Sequence, residues 1–575
     1  MSNKPRSSIA AGAAIIFAGT LTSRVIGLVR ENLLNNTFPD RLVKDAFASA
    51  FLVPDTLYYL LAGGALSAAF IPVLTGYLQQ DRREEANRVT GALATLLMLA
   101  MTAGLLLIFI FAPGVVRLVA HDYIPGTPKF NLTVILAREM CAMVIFTVLS
   151  GLLTGLLQSV NHFLATVVVW NTYSLGIILG ISVFSKLPVP SWAPGWLHWT
   201  GPTLGIHGAA LGVLVGALSL VLIQLPVVLR HGFRLSPVWD LHHEGVLEVL
   251  RRFAPVTLGL AISQVNLFAA PQSLATEVGD GGVMVIRNAT RLVLLPLGLF
   301  GLAITNAAFP RLSQQANQGE REAYIRIVNG SLRMLLLLVL PASVAMLVLS
   351  EPLMALIIGG AEAGITDVRA AAFTQAFFTL GIFTICLLQF ANRAFYALQD
   401  TLTPVIVQVV MAAANIGLTI VLIRYTPLSY GGVALAASLT LSAGALVLLE
   451  MLRRRLGGLG GRRILISGGK ILLATIALGA VVYLTARALA PQALAGGQAV
   501  SLAPSLLWPA PDLAHPVSGG LLGHSLRLHL LLQLTLSGLA GALVYTGVLW
   551  ALRSEELFSL LRRFGGRFRR GQVEW

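Results

Sequence analysis

The feature that most constrains this chain is a series of long apolar segments, repeated from end to end and broken only by short charged, Pro-rich or Gly-rich stretches. One water-soluble core cannot bury them all. With 56% hydrophobic and 11% charged residues and a mean hydropathy of +0.80, the composition departs from the roughly 25% charged residues of soluble domains. In a bilayer every backbone polar group must be satisfied within its own segment, so the runs read as helices. At about twenty residues per crossing, about fourteen are expected. Their approximate spans are 9–33, 46–77, 89–119, 132–158, 162–185, 203–229, 247–275, 284–310, 329–350, 369–398, 402–423, 430–452, 464–489 and 528–552. The predicted fold class is an all-α polytopic membrane protein.

An internal echo suggests how the helices are organised. "LLAGGALSAAFIPVLTGYLQQ" (60–80) and "GLFGLAITNAAFPRLSQQ" (298–315) both pass from small residues to Ala-Ala-Phe, meet a proline, and enter a polar loop with Gln-Gln. Each ends the second helix of a six-helix set. The expected plan is two six-helix lobes in parallel orientation around a central cavity, plus two C-terminal helices. The boundaries are an N-lobe at 1–235, a C-lobe at 236–460, and a C-terminal part at 461–575.

The net charge of +15 and pI near 10.4 do not point to nucleic acid. The basic residues sit in alternate inter-helix loops and in the tail "RRFGGRFRR", as the positive-inside rule requires. That asymmetry places both termini of a multi-pass membrane protein in the cytoplasm. The opposite loops are poor in Lys and Arg and carry Trp192, Trp196 and Trp199 near an interface. The Pro/Gly/Ala-rich stretch 490–527 reads as an external flexible connector. The N-terminal apolar run continues past Gly19 without a cleavage site and reads as a retained first helix. Cys141 and Cys386 lie in apolar segments and read as packing residues, so neither a disulfide nor a metal site is expected.

Charges inside the apolar runs are the candidate functional residues. "TSRVIGLVRE" puts Arg24, Arg30 and Glu31 in the first helix. Arginine at the centre of a span costs roughly 2.5 to 3.5 kcal/mol on insertion scales, so Arg24 should face protein or water. At about 100° per residue, Thr20, Arg24, Gly27 and Glu31 form one stripe and Ser23, Gly27 and Arg30 the next. An ion pair of Arg24 with Glu31, Asp45 or Asp55, or snorkelling of Arg30 and Glu31, would account for the same charges structurally. The second helix carries Asp45, Pro54-Asp55, Tyr58-Tyr59 and Gly63-Gly64, with Pro54 expected to bend it toward a cavity. In the eighth, Arg287 is expected near an interface and Arg291 one turn deeper. Arg138 beside Glu139, and Arg393, read as structural.

Arginines converging in a cavity suit a phosphate, whose oxygens they grip bidentately. A cation transporter would show more buried acids than Glu31, Asp45 and Asp55. There is no P-loop, nucleophile elbow or H-E-x-x-H, so no enzyme is expected. His242-His243 reads as a solvated pair and "GGLGG" (457–461) as a flexible joint.

"SRVIGLVRE", "DAFASAF", "GALSAAFIP", "PLGLFGLAITNAAFPRLS" and "RAFYALQDTLTP" together resemble the MurJ (MviN) family of lipid II flippases, in the exporter superfamily that includes the MATE antiporters. The resemblance covers essentially the whole chain. It implies movement of an undecaprenyl-diphosphate-linked peptidoglycan precursor, lipid II, from the cytoplasmic to the external leaflet by alternating access. Ser23, Arg24, Arg30 and Glu31 match the family's first-helix polar motif, Asp45 its Asp-Ala-Phe acid, and Arg291 its eighth-helix arginine. In family terms Arg24, Arg30 and Arg291 contact the diphosphate, with Ser23 beside them; Glu31, Asp45 and Asp55 are supporting acids, and Pro54, Gly63 and Gly64 bend or gate the second helix. Many members carry an Arg pair and Glu-Gly where this chain has Tyr58-Tyr59 and Gly63-Gly64, and acids where it has Thr290 and Leu294. The implied partners are the polyprenyl-diphosphate lipid, the bilayer and, as candidates, cell-wall synthesis enzymes. No cofactor is expected and the coupling ion is open. The alternatives are a MATE-like cation-coupled exporter, a flippase for another lipid-linked oligosaccharide, and a non-transporting scaffold.

Overall fold

The computed structural model describes residues 7–61, 65–160, 162–191, 194, 201–234, 236–240, 242–251, 253, 270–359, 365–495, 498–501 and 524–558. Two compact units divide the chain, Met1–Met284 and Val285–Trp575. Among the described residues ten helices are long and apolar enough to cross a membrane.

In the first unit the helices are α1 (Ser7–Thr37), α2 (Arg41–Leu61), α3 (Ala65–Gln79), α4 (Arg83–Val119), α5 (Pro128–Met140), α6 (Met143–Ser159), α7 (Phe163–Ser182) and α8 (Ile206–Arg230). The span expected at 46–77 falls on α2 and α3, with residues 62–64 outside the description. Pro54 does not end α2, which continues to Leu61. Gly63 and Gly64 and the side chains of Tyr58 and Tyr59 lie outside the described residues, as do Trp192, Trp196, Trp199, most of the run 247–275 and the basic tail. α5 begins on Pro128, with Thr127 Oγ1 accepting the Phe130 N–H, because proline lacks the N–H that a first turn leaves unbonded.

The tightest helix pair here is α7 against α8, and glycine explains it. Gly176 and Gly180 face Gly208, Gly212 and Gly216, each set spaced by four; a Cβ at Gly176 would lie 2.4 Å from the Gly216 Cα. Small residues at this spacing let backbones meet, the usual way helices associate in lipid, where burial of apolar surface supplies little drive. By contrast α4 turns Leu106, Leu107, Phe109 and Ile110 outward. Only 6% of its apolar window is buried, against 72% for the equivalent window of Ile365–Ala397. An exposed apolar wall of this kind is a lipid face.

The second unit continues with α9 (Gly282–Pro296, whose first three residues belong to the first unit), a π-turn at Leu297–Gly301, α10 (Leu302–Asn317), α11 (Arg321–Val348), α12 (Ser350–Ile358), α13 (Ile365–Ala397), α14 (Leu402–Tyr425), α15 (Tyr430–Arg455), α16 (Gly461–Ala488) and α17 (His524–Ala551). α13 is the central post. It meets α15 at Gly381, where Ser438 Oγ donates to the Phe377 carbonyl at 2.8 Å. α16 and α17 form a separate apolar cluster on α11 around Leu337, Ile471, Leu478, Val482 and Leu549, and Tyr545 Oη donates to the Leu337 carbonyl at 2.7 Å.

Several expectations change. The connector at 490–527 is not structureless where it is described: Gln492–Ala495 pairs with Gln498–Ser501 as an antiparallel hairpin. His243 is not solvated; its Nε2 lies 2.6 Å from a Glu85 carboxylate oxygen. Arg287, expected near an interface, is 5% exposed and lies in the first turns of α9. Arg138 and Arg393 are structural as read: Arg138 donates to the Phe109 carbonyl at 3.0 Å, and Arg393 stacks over the Phe309 ring at 5.2 Å. Glu139 meets His207 Nδ1 at 2.9 Å. Cys141 and Cys386 are buried and unpaired; Cys386 Sγ fills the space beside Gly301 at the π-turn.

The motif "FYALQDTLTP" proves architectural. Asp400 follows α13 and accepts the Thr403 N–H at 3.0 Å, its hydroxyl at 2.9 Å and Arg455 Nη1 at 2.5 Å. Partial burial works against its charge, but these donors hold the carboxyl below the usual carboxylate range. The acid thereby caps the first turn of α14 and ties it to the end of α15.

Candidate functional site

The polar stripe of α1 holds an ion pair between sequence neighbours. Glu31, 1% exposed, takes Arg30 Nη2 at 2.8 Å, so its neighbour in sequence is one cation on this acid. Adjacent residues on a helix point about 100° apart, yet arginine is long enough to fold back onto the next side chain. Ser23 and Arg24 are half-buried. At Gly27 a Cβ would meet nothing within 4 Å, so the stripe borders open space there. Asn35 Nδ2 donates to the Glu31 carbonyl at 2.8 Å and stiffens the helix below the pair.

Asp45 has a different role from the other acids. It is fully buried near the start of α2 and accepts Lys129 Nζ at 2.9 Å, the Gly281 N–H at 2.7 Å and the Met284 N–H at 3.0 Å. Two of those donors are backbone groups at the head of α9, where a helix leaves its first N–H groups unbonded and its dipole favours an anion. Lys129, at the start of α5, also reaches Asp280 at 2.6 Å and lies over the Tyr123 ring at 4.4 Å. Tyr123 Oη is 3.1 Å from Ser49 Oγ. Five elements are therefore joined around one carboxylate: α2, the loop after α4, α5, the turn at 279–281 and the head of α9.

Sequence reading found Asp45 but missed Lys129, Asp280 and Tyr123. The available signal was Lys129 itself, a lone lysine heading a helix on a side otherwise poor in Lys and Arg. Close by, His121 Nε2 meets Glu277 Oε1 at 3.0 Å and Asp122 at 3.8 Å. The first contact is accounted for as a hydrogen bond. Asp55 is half-buried and Pro54 buried on α2. In the second unit Arg291 is half-buried on α9, one turn beyond buried Arg287, and Thr290 closes its hydroxyl onto the Ile286 carbonyl at 2.7 Å. Arg24 and Arg30 belong to one unit and Arg291 to the other.

The comparisons with known proteins agree with one another. The family model for "Lipid II flippase MurJ" matches residues 34–502. Among curated relatives, a probable lipid II flippase MurJ of Haemophilus influenzae is 27% identical over 481 residues, covering 81% of this chain and 90% of that protein. The lipid II flippase MurJ of Burkholderia cenocepacia is 29% identical over 391 residues, covering 67% and 73%. Among solved structures, a lipid II flippase MurJ in an inward closed conformation aligns with a TM-score of 0.69 at 20% identity, covering 94% of this chain and 99% of that one. An inward-facing MATE-family multidrug transporter aligns at 0.63 and 16% identity over 76% and 95%. The two structural likenesses speak to the fold alone, that of a multi-pass helical membrane protein. The family model, which spans most of the chain, speaks to kinship: this chain belongs to the MurJ family of lipid II flippases.

Proposed function

We propose that this protein flips lipid II, the undecaprenyl-diphosphate-linked peptidoglycan precursor, from the cytoplasmic to the external leaflet of the bacterial inner membrane by alternating access. The single observation that carries the reading is the match of residues 34–502 to the lipid II flippase family. That match begins beyond Arg30, so the assignment of Ser23, Arg24 and Arg30 to the diphosphate rests on the first-helix motif and on its polar stripe beside open space at Gly27. Arg291 is the proposed contact from the second unit. Guanidinium groups remain charged when partly desolvated, and they hold phosphate oxygens through paired N–H donors. With Tyr58-Tyr59 in place of an arginine pair, these three arginines carry the recognition.

No bond is broken in this process, so the protein acts as a transporter and not as an enzyme. Both termini face the cytoplasm, following the distribution of basic loops. The membrane potential favours outward movement of each negative charge by about 2.3 kcal/mol per 100 mV. Complementation of a strain depleted of its lipid II flippase tests the reading. Wild type is expected to restore growth, and Arg24→Ala and Arg291→Ala to fail at equal membrane abundance. Failure of wild type would overturn the substrate; rescue by both variants would overturn the arginine cradle.

A further inference from the structure

A cavity of about 940 Å³ opens in the second unit between α10, α11 and the segment that follows α17. Its lining charges come from three arginines, Arg311, Arg326 and Arg333, and two acids, Glu555 and Glu556. The acids are committed. Glu556 takes Arg333 Nη1 at 3.1 Å together with the hydroxyls of Ser467 at 2.6 Å and Ser554 at 2.7 Å, and Glu555 meets the same Nη1 at 3.3 Å. Arg333 Nε is nevertheless buried without an acceptor. Arg311 is exposed and has no partner among the described residues, and Arg326 makes only an exposed 3.6 Å contact with Glu322 on its own helix.

Position within the fold identifies the ligand class. α10 and α11 are joined at Gly319, and Arg311 and Arg326 stand eight residues before it and seven after, so they are level with each other across the two helices. Arg333 lies about 10 Å further in at 1.5 Å per residue. It is level with Glu556, just past the end of α17, and with Ser467, just inside α16. The cavity therefore occupies the layer where spans end and headgroups begin. Ile304 and Met334 line its inner part, a surface suited to the first methylenes of an acyl chain. At Gly330 on this wall a Cβ would meet nothing within 4 Å. Basic pockets between helices at this depth recognise anionic lipid headgroups.

We propose that this cavity binds the phosphate headgroup of an anionic phospholipid from the surrounding leaflet, with Arg311 and Arg326 as its cationic mouth and the Arg333 Nε–H as an inner donor. A free anion would not need the apolar inner wall, and a zwitterionic headgroup would leave the two mouth arginines without net counter-charge. Its lining does not include Arg24, Arg30 or Arg291, and the proposal does not depend on the transported substrate.

The test is native mass spectrometry of the full chain in detergent with defined amounts of phosphatidylglycerol or phosphatidylcholine. Wild type is expected to retain phosphatidylglycerol preferentially. Arg311→Gln/Arg326→Gln should retain it roughly 30-fold less, from about 1 kcal/mol per basic residue. Gly330→Leu, which enters open space and improves helix propensity, should fold normally and exclude the lipid sterically. Equal retention of both lipids by wild type, or unchanged retention of phosphatidylglycerol by Gly330→Leu, overturns the proposal. Displacement of phosphatidylglycerol by undecaprenyl diphosphate in wild type but not in the double variant would assign the pocket to substrate and equally overturn it. Since the readout is lipid retention, failed complementation with intact retention would count against the flippase reading alone.

Discussion

Replacing Asp45 by asparagine should be among the most damaging single-atom changes in the first unit. The carboxylate is fully buried, and its two oxygens serve Lys129 and two backbone N–H groups. Breaking a buried pair by removing one partner costs about 3 to 5 kcal/mol. Asparagine retains one acceptor for the backbone, and Lys129 keeps Asp280 at 2.6 Å. That second pair is formed with a 67%-exposed carboxylate, so it offsets only a fraction of a kcal/mol. Asp45→Asn is therefore expected to cost about 3 kcal/mol. Lys129→Met should cost about 2 kcal/mol, leaving a buried carboxylate with its two N–H donors. If the two side chains act as one latch, the double variant loses about 2 kcal/mol less than the sum of the singles. The assay is a double-mutant cycle on denaturant unfolding of the purified protein in detergent, read by intrinsic fluorescence. Additivity within about 0.5 kcal/mol would refute the coupling. An Asp45→Asn protein as stable as wild type would refute the burial argument itself.

Other outcomes follow from the same geometry. Gly212→Leu puts a Cβ 2.6 Å from the Gly180 backbone and should lower the thermal unfolding midpoint sharply, by more than about 3 kcal/mol of stability, whereas Gly417→Leu, with nothing within 4 Å, should be neutral; equal effects would remove the glycine seam as the reason for the α7–α8 contact. On α12, burial pushes Glu351 up to about 7 against the pull of Arg369 at 3.2 Å. A raised acid pKa stabilises the fold most at low pH, and that contribution disappears as pH rises from 4.5 to about 7. Glu351→Gln should therefore flatten the decline in stability between pH 5 and pH 8 by on the order of 3 kcal/mol, and an unchanged pH profile would count against it. Arg455→Met, which removes a donor from Asp400 at 2.5 Å, should cost about 1 kcal/mol and loosen the head of α14, measurable as faster amide exchange over 402–405.

Sequence reading was strongest where the physics is local. Apolar length against bilayer thickness makes helices almost without alternatives, so the spans at 89–119, 203–229, 369–398 and 430–452 fall on α4, α8, α13 and α15. The structural character of Arg138 and Arg393 needed only the cost of placing charge in lipid. The same local reasoning missed the pairing of Gln492–Ala495 with Gln498–Ser501.

Tertiary structure decided which charges belong together. That Arg30 folds back onto Glu31, and that Asp45 ties down the head of α9, depends on side-chain reach and on partners more than eighty residues away in the case of Lys129 and Gly281. The glycines of α7 and α8 were visible in sequence as small residues every fourth position, but nothing in their spacing names the opposing helix; only backbone contact does. The cavity at Arg311, Arg326 and Arg333 is likewise invisible one-dimensionally, because basic loop residues obey the positive-inside rule whether or not they converge. Composition and periodicity thus determine that this chain spans a membrane as helices, since the bilayer constrains each segment separately. Charge pairing and cavities are properties of several segments at once, and folding alone assigns them.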